Sequence, residues 1–137
     1  MLLPYGGEVR FHSVHESAGP YVLLRLITRD GAEGLAESVV RPQQFSGEDP
    51  QIIKYQIETF FRPMLKGANP LEHNRILVSL GRYKGNRVAK MLIDVALWDL
   101  KGKLLGKPVW CLLGGGPVKP VPVSAIVFGD TAKAQAE

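Results

Sequence analysis

Asp94 and Asp99, the three histidines, Cys111 and the run Gly114-Gly115-Gly116 are the residues of this 137-residue chain whose types could do chemistry. Their spacing argues against most of it. His12, His15 and His73 do not form a metal-spacing cluster. Asp94 and Asp99 fall five apart on a helical stretch, so they point to different faces and do not make a paired acid and base. Asp99 precedes Lys103 by four, a favourable helical ion pair, and both aspartates read as structural. No Lys-Ser/Thr follows the three glycines, so they are not a phosphate loop. Cys111 is the only cysteine, which excludes an internal disulfide and fits a reducing cytoplasm. No catalytic residue and no metal ligand is assigned.

The formal net charge is +4, but the cations are dispersed. The densest stretch, Arg82 to Lys90, holds four of them without an acid. With aromatic–basic interleaving sparse, this reads as a solvated surface and not as a nucleic-acid groove. An anionic small substrate suits the charge equally well. There is no apolar run of about 18 residues to span a membrane and no secretory signal at the start, so a cytoplasmic location is expected. A hydrophobic content of 45% suits a globular core.

The elements that must position these residues are strands first and helices second. Glu8 to His15 alternates weakly, Tyr21 to Thr28 is rich in strand-forming residues, and Ala32 to Val40 is the return after an Asp30-Gly31 turn. Ala18-Gly19-Pro20 is expected to be the turn between the first two strands. Asp49-Pro50 starts a helix that Pro63 ends or kinks. Asn69-Pro70-Leu71-Glu72 starts a second, running to Leu80, with Glu72 as capping-box partner of Asn69. The third runs from near Asn86 to about Leu104 with Ala89, Ile93, Ala96, Leu100 and Leu104 as one apolar stripe, widened by Leu92 and Leu97. Gly106 and Pro108 stop it. After Gly114-Gly115-Gly116-Pro117, Val121 to Phe128 reads as a strand and Thr131 to Glu137 as the opening of a helix. The fold class is α+β: an antiparallel β-meander followed by a three-helix bundle, with one strand left over.

Several motifs then coincide. Ala96-Leu97-Trp98-Asp99, Gly102-Lys103, Gly106-Lys107-Pro108-Val109 and Leu112-Leu113-Gly114-Gly115 follow one another in order. This run resembles a signature of the mandelate racemase and muconate lactonizing branch of the enolase superfamily. Gly34-Leu35-Ala36-Glu37 is similar to the Gly-x-Gly-Glu that follows the meander in that family, with Ala36 as the departure. Pro63 to Pro70 is similar to its link between helices, and Val121-Pro122-Val123 to its first barrel strand.

The resemblance implies a division of the chain into a capping domain, residues 1–117, and the first strand and beginning of the first helix of a truncated (β/α)8 barrel, residues 118–137. Only 17 residues follow Pro120, whereas such a barrel needs roughly 200 or more. It also implies a reaction class, removal of a proton α to a carboxylate with Mg²⁺ stabilising the enediolate, as in an acid-sugar dehydratase or racemase. The bases and metal ligands of the family sit on later barrel strands. The fragment alone is therefore expected to be inactive and to bind no metal. By resemblance the capping domain supplies two specificity loops, one within residues 4–17 and one around 39–46. Tyr5 and His12 on the first, and Arg41 and Phe45 on the second, are the candidate substrate contacts. Their polarity favours a sugar acid over an aromatic acid, with a homo-oligomer expected at full length. The competing reading is a stand-alone binding or oligomerisation module built on the capping fold.

Overall fold

Strand β2 (Val14–Ile27) organises the sheet, because it serves two partners in succession. The computed structural model describes residues 2–11, 14–40, 47–116 and 120–124, with side chains from residue 18 onward. The first half of β2, Val14 to Pro20, pairs antiparallel with β1 (Leu2–Phe11). Its second half, Tyr21 to Ile27, pairs antiparallel with β3 (Glu33–Val39). The sheet order is β1-β2-β3.

The expected turn at Ala18-Gly19-Pro20 is instead the middle of β2. These residues stand opposite Pro4, Leu3 and Leu2. The local signal misleads because Pro20 sits where β2 changes partner. Lacking an N–H, the proline serves there as an acceptor, and its carbonyl takes the N–H of Val40 at 2.8 Å. Consequently the first strand begins at Leu2 and not at Glu8. The Asp30-Gly31 turn forms as expected: Gly31 takes φ +84°, and Thr28 and Ala32 close the hairpin through Thr28 N–H to Ala32 O at 2.9 Å.

Asp49 caps α1 (Pro50–Gln56), its Oδ1 accepting from Gln51 N–H at 2.7 Å. Pro63 does not end the segment. One π turn (Ile57–Phe61) leads into α2 (Arg62–Leu65), which carries Pro63 in its first turn, where a missing N–H costs little. The wider turn buries Phe61 completely while leaving Phe60 partly exposed. Asn69-Pro70-Leu71-Glu72 is a β-turn, with Glu72 N–H bonded to Asn69 O and Leu71 N–H to Asn69 Oδ1, both at 3.0 Å. Helix α3 (His73–Gly81) therefore starts later than the capping-box pattern suggests, and Glu72 pairs with Arg75 at 2.8 Å.

Helix α4 (Arg87–Leu105) matches its expected span and ends at Gly106 in the left-handed region, φ +60°. Ala89, Leu92, Ile93, Ala96, Leu97 and Leu100 are all buried. Leu104 departs from the expected stripe: it is 42% exposed and lines an open groove beside β2. The short α5 (Val109–Leu112) folds back on the end of α4. Val22, Leu24 and Leu26 on the inner face of β2, with the buried Ala36 of β3, complete the core against α1 and α4. Pro120 to Ser124 carries no strand, and Val121 and Val123 are 76% and 90% exposed, for want of a strand to pair with among the described residues. Residues 125–128 and the expected helix at 131–137 lie outside those residues.

The tightest contact of the fold is β3 against α4. A Cβ at Gly34 would lie 2.1 Å from Ala96 O and 2.7 Å from Leu100 Cβ. Gly34→Ala should force the two elements apart and lower unfolding stability by about 1–3 kcal/mol in urea melts, whereas Gly116→Ala, with open space around its Cβ position, should be nearly silent.

Candidate functional site: two loops on one stretch of strand

The two segments expected to contact substrate adjoin neighbouring points of β2, although residues 4–11 and 14–17 of the first, expected as a loop, are strand, and the second follows β3. In the first, the β1–β2 register shifts between Pro4 and Val9: Pro4 faces Ala18 while Val9 faces Glu16. Four residues of β1, Tyr5-Gly6-Gly7-Glu8, thus stand opposite Ser17 alone. An excess of this kind bulges the longer strand away from the ladder and re-aims what it carries. The second segment leaves the sheet at Val40, fully buried and bonded to Pro20. Ser17 and Pro20 are three residues apart on one strand, roughly 10 Å at ordinary strand rise. The sheet therefore brings together the roots of both loops.

The far end of the second loop is held equally firmly. Gly47 takes φ +65°, and Asp49 caps α1. Between them Glu48 reaches across to α4, where its two carboxylate oxygens accept from Arg87 N–H at 2.8 Å and Val88 N–H at 3.1 Å. A carboxylate at that place satisfies orphan donors and meets the positive end of the helix dipole. Asn86, at φ +54°, makes no side-chain cap of its own, so the remote acid does the capping. Nothing in the local sequence pairs Glu48 with a helix start 39 residues later.

Of the four candidate contacts, Tyr5 lies on the β1 bulge, with its side chain undescribed. His12, Arg41 and Phe45 lie outside the described residues.

Asp94 and Asp99 are both engaged with the fold. Asp99 Oδ2 accepts from Leu35 N–H at 2.8 Å and from Lys103 Nζ at 2.6 Å, and Lys103 Nζ also donates to Glu33 O at 2.9 Å. This clamp ties the outer edge of β3 to α4. The hydrogen bond from the Lys103 ammonium holds the Asp99 carboxyl below its ordinary value of 3.8; burial opposes it, and the Leu35 N–H adds a lesser lowering. Asp94 Oδ1 meets Nε2 of the buried His73 at 2.6 Å, and the His73 ring packs on Trp98 with centroids 4.5 Å apart. This cluster was not evident from sequence; the signal available was that Asp94 and Trp98 are four apart on one helix face. No group of three or more His, Cys, Asp or Glu side chains that could hold a metal is found among the described residues. With both aspartates of α4 committed to other partners, those residues do not fit a divalent cation. No helix among them is long and apolar enough to cross a membrane.

The meander, the helices and the ordered α4–α5 motif agree with a family model, that of the mandelate racemase / muconate lactonizing enzyme N-terminal domain, which matches residues 7–114. The chain belongs to that family. It is 33% identical to muconate cycloisomerase 1-2 of Acinetobacter lwoffii over 82% of this chain and 30% of that protein. It is 33% identical to a D-galactonate dehydratase family member of Streptomyces sp. (strain SPB074), over 86% of this chain and 27% of the relative. Among solved structures, N-succinyl Arg/Lys racemase from Bacillus cereus ATCC 14579 superposes with a TM-score of 0.82 at 27% identity, covering 92% of this chain and 34% of the racemase. The chain thus spans about 30% of the length of the curated relatives it matches.

The family motif has a packing reason at most of its positions here. Asp99 and Lys103 clamp β3. A Cβ at Gly102 would lie 2.9 Å from Lys107 O, where the chain turns back to start α5. One at Gly115 would lie 2.6 Å from Trp110 O, which already accepts the Gly115 N–H. Ala36, the departure from the family's glycine, is buried in the core, and its methyl is accommodated there.

Since the folded Asp99 carboxyl is more acidic than in the unfolded chain, its stabilising effect is present above the unfolded value and lost as pH falls through the folded one. Denaturation midpoints measured from pH 7 down to pH 2 should show Asp99→Asn less stable than the parent at neutral pH, with the gap narrowing below about pH 4. A gap unchanged across that range would remove the clamp's electrostatic part.

Proposed function

We propose that residues 1–117 are the substrate-specificity cap of a longer mandelate racemase / muconate lactonizing-type enzyme, and that residues 118–137 begin its barrel. The observation that supports this reading is that the β1 bulge and the Val40 exit both adjoin one short stretch of β2, so that segments rooted there could close together over a barrel. Closure of that kind excludes water and fixes the distal end of a substrate. The complete enzyme removes the proton α to a carboxylate. The base and the Mg²⁺ ligands belong to the barrel, and the cap supplies none of them.

The substrate is a small carboxylic acid. Arg41 is assigned to its distal carboxylate or hydroxyls, with Tyr5 and His12 as further polar contacts and Phe45 as an apolar wall. The sugar-acid preference suggested by those side chains has support from the D-galactonate dehydratase family member, while the muconate cycloisomerase relatives point to a dicarboxylate. Arg41 serves either. The complete enzyme is expected to be a homo-oligomer.

The test is hydrogen–deuterium exchange at the α-carbon of a panel containing muconolactone, galactonate and N-succinyl amino acids, with Mg²⁺. The 137-residue chain alone should exchange none of them. The longer polypeptide read from the same locus should exchange or convert at least one, with Arg41→Ala raising KM by roughly ten-fold at little change in kcat. Turnover by the short chain, or a locus without a barrel after Glu137, would overturn the proposal.

A further inference from the structure

Glu48 and Asp49 stand side by side where the chain returns from the sheet to its helices, and they act over different ranges. Asp49 Oδ1 accepts from Gln51 N–H at 2.7 Å, a local bond that shapes the first turn of α1. Glu48 bonds across 39 and 40 residues, its two oxygens accepting from Arg87 N–H at 2.8 Å and Val88 N–H at 3.1 Å. The residue placed to cap α4 locally does not do so. An asparagine cap ordinarily has extended backbone, whereas Asn86 takes φ +54° and its Nδ2 donates to Lys84 O at 2.9 Å. Helix α4 therefore takes its cap from a carboxylate on another part of the chain, favoured both by the unpaired first-turn donors and by the positive end of the dipole.

That bond decides where the return to α1 begins in space. Helix α4 is the element on which the sheet is set, through Gly34 over Ala96 and Leu100 and through the Asp99 clamp. The sheet in turn fixes Val40, whose N–H donates to Pro20 O at 2.8 Å. Only residues 41–46 separate Val40 from Gly47, and Arg41 and Phe45 are among them. Fixing both ends of so short a connection removes conformations from the unbound protein, and the cost of ordering it on binding falls accordingly. Without the Glu48 bond, the second end would lean on the Asp49 cap, which is internal to α1, and on buried Ile53 a turn further on.

We propose that Glu48 is a positioning residue for substrate binding: its carboxylate, seated on the first turn of α4, sets the end point of the segment that carries Arg41 and Phe45. The proposal rests on the assignment of those two side chains to substrate. Glu48 acts through that segment and not by contact. Its loss raises the cost of ordering the two contacts and leaves the reacting atoms, which the barrel holds, as they were. Binding then weakens at nearly constant turnover. Glutamine at this position keeps an acceptor for one N–H and loses the charge, so its effect falls between those of Glu and Ala.

The test compares Glu48→Ala, Glu48→Gln and Asp99→Asn with the parent. Asp99→Asn controls for lost stability alone, since it loosens β3 on α4 and leaves the Glu48 bonds in place. In the 137-residue chain, hydrogen exchange at the Arg87 and Val88 amides and native-state chymotrypsin cleavage after Phe45 are timed. Glu48→Ala should speed both by about ten-fold, and Asp99→Asn by less than about two-fold. In the longer polypeptide from the same locus, Glu48→Ala should raise KM about ten-fold and Glu48→Gln by less, with kcat within about two-fold of the parent. Asp99→Asn should change neither constant. If Glu48→Ala fails to fold, Glu48→Gln carries the same comparison. Equal cleavage of parent and variant would overturn the proposal. A KM raised by Arg41→Ala but not by the Glu48 variants would also overturn it, while the contact assignment stands. If neither raises KM, or the longer polypeptide converts nothing, the contact assignment falls and the role of Glu48 with it.

Discussion

The close approach of β3 to α4 is the constraint from which the rest of this domain follows. Only a glycine at position 34 lets the strand's backbone rest on Ala96 and Leu100. That contact is made at the backbone, so it fixes the angle and height of the sheet over the helix more tightly than interdigitated side chains would. The Asp99–Lys103 pair then prevents sliding, because it holds a donor and an acceptor of the outer edge of β3 at once. An exposed ion pair of this type is worth little as a salt bridge. Its value lies in ending an exposed strand edge, two of whose polar groups are occupied from the helix.

With β3 fixed, β2 is fixed through seven consecutive pairings, and β2 fixes both loops. The partner change at Pro20 matters here. A β2 that ended at Ala18 would leave the β1 bulge on a separate hairpin, free to move relative to the Val40 exit. Because one continuous strand pairs with both, the two roots are held at a fixed spacing along β2. The second loop has a further tether at its far end, where Glu48 caps α4 and Asp49 caps α1. Two adjacent acids thus tie the loop's return to two different helices. A binding segment needs a firm root, and the anchors at Val40, Glu48 and Asp49 would supply one.

What could be read from the sequence follows from the range of the interactions. Helix α4 was legible because its burial repeats with the helical period and its stop is a local glycine. The Asp30-Gly31 turn and the Asp49 cap were legible for the same reason. The β-turn at Asn69 was misread as a helix start, since Asn followed three residues later by Glu is a capping-box pattern as well as the first and last positions of a turn. Pro63 was expected to end or kink the first helix; the helix does not end there, and the π turn that precedes the proline is not visible in a periodicity of 3.6. Ala18-Gly19-Pro20 was misread because its strand character is imposed from both sides, by Leu2 to Pro4 and by Val40. The Glu48 cap and the His73–Asp94 pair join residues far apart in sequence, and no local pattern announces them. For the candidate contacts, sequence and structure together place only Tyr5, on the bulge.

The same distinction explains why the family is evident and the substrate is not. The ordered motif from Ala96 to Gly115 specifies how a strand, a helix and a reversal of the chain fit together: Asp99 and Lys103 at the strand edge, Gly102 under the returning backbone, Gly115 against Trp110. None of these residues needs to know what the enzyme binds. A packing role of this kind is independent of the reaction, and the chain is accordingly similar to a cycloisomerase, a dehydratase family member and a racemase alike. On the proposed reading, substrate choice would rest with segments outside this motif, where packing constrains sequence less. The residues that identify the family are thus those that pack β3, α4 and α5 together, and none of them is among the four proposed substrate contacts.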